Sequence, residues 1–152
     1  MNGNFLVSGM FRSGTTMFAR MLHANPNIVC ASDPFAPIFK SFRNTIAQDM
    51  IQDFDIFSPL NDYYFDKSQN SLFQELQMKN FNVAITEQEI ERVKGLIKGH
   101  CKLYSPKISL FLDVLEGKNY KQVFDSAFEI IRSSYGKGDN AVVGFKEVWV
   151  DE

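Results

Sequence analysis

One stretch of this chain, Phe5-Leu-Val-Ser-Gly-Met-Phe-Arg-Ser-Gly-Thr-Thr-Met17, leaves its N-terminal part few folds to choose from. An apolar run rich in β-branched and aromatic residues enters a glycine turn without amphipathic spacing, which predicts a short buried strand over Phe5–Ser8. Thr15 and Thr16 then open a helix whose apolar residues Met17, Phe18, Met21 and Leu22 share one face, and Asn25-Pro26 stops it. Ile28–Ala31 reads as a second buried strand, bounded by Asn27 and by Ser32-Asp33-Pro34. Strand, helix and strand in about 30 residues form a βαβ unit. The sheet is therefore expected to be parallel, with ligands bound beyond the carboxyl ends of its strands.

The rest of the chain is expected to be mostly helical from about 34 to 136. Phe35, Ile38, Phe39 and Phe42 recur at helical spacing with Lys40 and Arg43 between them, which suggests a core stripe with two solvated cations ahead of the alternative, an acceptor groove. Residues 53–67 read as a loop and Ser68–Met78 as a weaker helix. Thr86-Glu-Gln-Glu89 has the form of a capping box, and Ile90, Val93 and Ile97 follow on one face. A short helix is expected over Ile108–Leu115. A longer one over Tyr120–Tyr135 turns Val123, Ala127, Ile130 and Ile131 inward and ends at Gly136. Ala141–Phe145 is the third expected strand, with Lys146 and Glu147 just past its end.

At 152 residues, with 45% hydrophobic and 22% charged residues, the chain has room for one sizeable core. It is read as a single α/β domain over 1–152. A net charge of −2 offers no general attraction to nucleic acid or to an anionic membrane. The expected partner is a small-molecule, saccharide or peptide substrate. No apolar run approaches a membrane span and no leader pattern is seen, so the expected address is cytoplasmic. Cys30 and Cys101 lack metal-ligand spacing and read as reduced core thiols. Three parallel strands make a thin sheet, so the expectation is that this sheet is part of a larger one.

Gly9-Met-Phe-Arg-Ser-Gly14 has the Gly-x4-Gly spacing at which successive backbone N–H groups and a helix N-terminus converge on one anion. The lysine of a nucleoside-triphosphate loop would follow Gly14, where Thr15 stands instead. The cation is Arg12, a fixed charged fork placed further out. Here the sequence resembles the PAPS-dependent sulfotransferases (PAPS is 3′-phosphoadenosine 5′-phosphosulfate). Their 5′-phosphosulfate loop reads Pro-(Lys/Arg)-Ser-Gly-Thr-Thr. The run Arg12-Ser-Gly-Thr-Thr-Met-Phe-Ala-Arg-Met-Leu22 with Asn25-Pro26 looks most like the tyrosylprotein-sulfotransferase-like and bacterial branches, with Phe11 in place of the common Pro.

The resemblance implies a P-loop-like three-layer α/β/α fold with a short central parallel sheet and a helical insertion. It implies that Ser13, Gly14, Thr15 and Thr16 hold the 5′-phosphate, that Arg12 reaches the bridging oxygen and the sulfuryl group, and that no metal is required. It also implies a later Arg…Ser segment for the 3′-phosphate, expected after residue 152.

Three further residues are candidates for acid/base or charge-neutralising chemistry. Asp33 follows the second strand, 21 residues after Arg12. It could take the acceptor's proton as base, or cap the next helix ahead of Pro34. Lys146 follows Ala-Val-Val-Gly-Phe at a place where the sulfotransferases carry a Lys, often as Gly-x-Lys-(Asp/Glu), and is expected to neutralise charge on the transferring group. Glu147 is the alternative base. The His used two residues after this Lys by cytosolic members is Val148 here. His23 and His100 read as structural. Two rival functions stay open: a P-loop kinase-like phosphotransferase and a non-catalytic nucleotide-binding module.

Overall fold

In a computed structural model, which describes residues 3–10, 14–54, 74–76, 78–138 and 140–149, the chain is an α/β protein built on three parallel strands. In chain order the elements are β1 (Asn4–Met10), α1 (Thr15–Ala24), β2 (Ile28–Ser32), α2 (Ala36–Met50), α3 (Glu87–Tyr104), α4 (Tyr120–Tyr135) and β3 (Val142–Trp149). Arg12, Ser13 and the expected loop after Phe54 lie outside the described residues, as does most of the expected helix over Ser68–Met78. No described helix is long and apolar enough to cross a membrane.

The sheet order is β1-β3-β2, so the last strand lies between the first two. Phe5 pairs with Gly144 and Met10 with Trp149 on one side of β3; Cys30 pairs with Gly144 and Ser32 with Lys146 on the other. Gly144 needs to be glycine here: a Cβ would lie 2.5 Å from the Phe5 carbonyl oxygen and 2.6 Å from its ring. All three strands run further than the sequence suggested, β2 by the single residue Ser32. β1 continues through Gly9 and Met10, because β3 offers ladder partners as far as Trp149. Lys146 and Glu147 accordingly lie inside β3 rather than past its end.

One face of this sheet carries the core. Val29, Ala31, Val143 and Phe145 pack against Phe35, Ile38, Ile46, Ile97, Ile130 and Ile131 from α2, α3 and α4, all nearly inaccessible. Period-2 alternation puts Cys30 on the other face, which α1 covers. Of α1 only Ala19 is buried, while Met17, Phe18 and Met21 are exposed, so its apolar stripe exists but has no cover among the described residues. The Lys137 ammonium fixes the far end of α1, donating to the carbonyls of His23, Asn25 and Ile28.

Helix ends follow local chemistry. Thr86 accepts from the Glu89 amide at 3.2 Å, the first half of the capping box. The Glu89 carboxylate goes instead to Ser41 at 2.5 Å and to Arg92, joining a buried network with Tyr120 and Thr45 that ties α2 to α3 and α4. Asn119 caps α4, and Gly136, at φ 55, ends it. The expected helix over Ile108–Leu115 is two 3₁₀ turns, Ile108–Leu110 and Leu112–Val114, parted where Phe111 leaves helical geometry. Arg43 also departs from expectation: it is buried, with Nε 3.0 Å from Asn44 Oδ1, and is not a solvated cation.

Candidate functional site

The carboxyl edge of the sheet gathers the ionisable residues. Lys146 and Glu147 are neighbours in β3, so their side chains leave on opposite faces. Lys146 takes the α1 face, where its ammonium lies 2.5 Å from Asp33 Oδ2, and the residue is only 2% exposed. Ser32, opposite Lys146 in the ladder, donates its hydroxyl to the same carboxylate oxygen at 3.0 Å. The Asp33 amide donates to the Lys146 carbonyl at 2.7 Å, which holds Asp33 in left-handed backbone geometry at φ 49. A lysine this deeply buried needs its counter-charge, and Asp33 supplies it.

Glu147 takes the core face. Its carboxylate accepts from the Phe35 amide at 2.5 Å and also from that of Ala36. These are the orphan donors at the start of α2, whose N-cap residue is Phe35 and which has no acidic residue of its own in the first turn. The capping role weighed for Asp33 is thus filled by Glu147 from a distant strand. Asp33 lies two residues before the cap and faces Lys146. Burial pushes the Glu147 carboxyl up to about 8, against the pull of its amide donors and Lys146.

Among the described residues, nothing caps the start of α1. Gly14, at φ 80, is its N-cap and offers no side chain, and no acidic residue occupies the first turn. The Phe18 amide closes the first helical bond to the Gly14 carbonyl at 3.1 Å, so the preceding amides face outward without a side-chain cap. An uncapped, acid-free helix start following a left-handed glycine suits a phosphate-type anion. Gly14, Thr15 and Thr16 are therefore placed at this opening.

Thr16, Ser32 and Asp33 line one cleft of about 350 Å³, together with Arg20, His23 and Tyr135. The last three were not singled out as site residues from sequence, although Thr16 and Arg20 are one helical turn apart and His23 follows at i+3. The His23 Nδ1 accepts from the Cys30 amide at 3.2 Å, and burial, then Lys137 and Lys107, lower its pKa. Cys30, also on the wall, has a thiol pushed up to about 11 by burial, and Cys101 one pushed up to about 12. Neither is a thiolate nucleophile near neutral pH. A larger groove of about 680 Å³ lies between α3 and α4 near Glu87, Glu116 and Gln122. Its lining includes no residue of the sheet edge, so the smaller cleft is the better candidate.

Among the described residues no group of three His, Cys, Asp or Glu side chains could hold a metal ion. Comparisons with protein-family models, with curated proteins and with solved structures match nothing to this chain, so the chemistry of the cleft is read from its own residues.

Proposed function

We propose that this chain carries the donor half of a PAPS-dependent sulfotransferase site, on a P-loop-like scaffold, for a hydroxyl or amine acceptor. The observation that carries the reading is the meeting of Thr16 and the Lys146-paired Asp33 at one cleft, beside the uncapped start of α1. PAPS bound there would supply the sulfuryl group. Gly14, Thr15 and Thr16 would cradle its 5′-phosphate; Ser13 and Arg12 lie outside the described residues and are assigned to the same group from the sequence resemblance.

Asp33 takes the proton of the acceptor as its oxygen or nitrogen bonds to sulfur and the sulfur–oxygen bond to the phosphate breaks. Lys146 and Arg12 stabilise the negative charge that develops on the leaving phosphate. The ion pair fits this division of labour: as Lys146 turns toward the leaving group, the Asp33 carboxylate is freed to accept the proton. Glu147, holding the start of α2, keeps the Asp33 loop in place.

Arg12→Ala in the full-length protein tests the assignment. Sulfuryl transfer should be abolished while the far-ultraviolet circular dichroism stays unchanged; a near-normal rate would refute it.

A further inference from the structure

We infer that the cleft selects an acceptor bearing a negatively charged group, a small hydroxy acid of single-ring size, whose acid end is read by Arg20. The inference rests on the sulfotransferase reading for the role of Asp33, and it names the substrate class of the same site.

Charge is the first ground. Arg20 lines the cleft, is exposed, and makes no hydrogen bond or ion pair with any described residue. Asp33 is the one acidic residue of the lining, and its charge is matched by Lys146. Arg20 thus leaves the cleft with one unmatched positive charge. A guanidinium offers a planar fork that fits a carboxylate or phosphate bidentately.

His23, three residues further along α1, adds a neutral donor. Its Nδ1 accepts from the Cys30 amide, so the neutral ring carries its hydrogen on Nε2. Burial and the nearby lysines lower its pKa, which favours that neutral form. The ring meets Tyr135 edge-on, with centroids 5.0 Å apart, and Lys107 Nζ lies 5.7 Å from the Tyr135 centroid. That wall therefore presents aromatic surface, with the Lys107 charge behind it on the Tyr135 ring.

Size is the second ground. A cleft of about 350 Å³ stands at the small end of ligand pockets, and with Thr16 on its wall given to the donor phosphate it leaves room for no more than one ring and its substituents.

The test uses 4-hydroxybenzoate and its neutral methyl ester as probes, titrated into the full chain without PAPS and followed by the Arg20 and His23 side-chain resonances. The acid should bind about tenfold or more tighter than the ester, and Arg20→Ala should reduce the acid to the affinity of the ester without changing the ester. Arg20→Lys should restore part of the preference. Equal binding of acid and ester, or an acid affinity unmoved by Arg20→Ala, would overturn the inference. A parallel titration with PAP, the desulfated donor product, separates the two readings. PAP binding without acid preference sinks the acceptor class alone. Acid preference without PAP binding supports the anion subsite and sinks the sulfotransferase reading.

Discussion

The two faces of the sheet are built differently. On the face of Val29, Ala31, Val143 and Phe145, three helices bury a continuous aliphatic and aromatic core. On the other, α1 buries only Ala19 and leaves Met17 at 68% and Met21 at 64% exposed. Two adjacent residues of β3 divide the same way. Glu147 enters the packed face and closes a helix end; Lys146 enters the α1 face and pairs with Asp33 beside the cleft. The packed face supplies stability, and the thinly covered face keeps ionisable groups within reach of a ligand.

That contrast can be broken by mutation. The largest effect on stability is expected from Ile130→Ala on the packed face. It removes a fully buried side chain of α4 and should cost about 2–5 kcal/mol in urea unfolding; a loss below about 1 kcal/mol would mean the packed face is not the stabilising one.

Glu147 gives an intermediate effect with a definite pH signature. Its folded pKa of about 8 lies above its ordinary value of 4.5, so the folded chain holds this proton more tightly than the unfolded chain. Its contribution is fully present below about pH 4.5 and is lost as pH rises through about 8, a change on the order of a few kcal/mol. Glu147→Gln should flatten this slope in unfolding measured from pH 4.5 to 9; an unchanged slope would remove Glu147 as its source. The smallest effect should come from Met21→Ala on the exposed side of α1, within about 0.5 kcal/mol of the parent. A larger loss would show that this helix face is covered after all.

Much of the α1 side was legible from local sequence. Glycine, threonine and Asn25-Pro26 fix where β1 gives way to α1 and where α1 ends, because each acts through its own backbone. Asn119 and Gly136 bracket α4 for the same reason. Long-range pairing was not legible. Lys146 and Glu147 were expected just past the end of the strand, yet β1 gives the strand four more ladder partners, from Val7 to Met10, and the two side chains find Asp33 and the α2 amides. Propensity at those positions is overruled by contacts made 112 and 113 residues away. The same holds for Glu89, whose local capping partner lost to Ser41 across the helical core. Arg20 was readable in principle from its spacing to Thr16, but only the cleft gives that spacing a meaning.

The central claim is that the open face holds a phosphosulfate donor rather than a nucleoside triphosphate. Calorimetric titration of the chain with PAP in EDTA, set beside ATP with magnesium, tests it most directly. Magnesium-independent binding of PAP, tighter than that of ATP, is the predicted result. A preference for ATP with magnesium, or no binding of PAP, would contradict it.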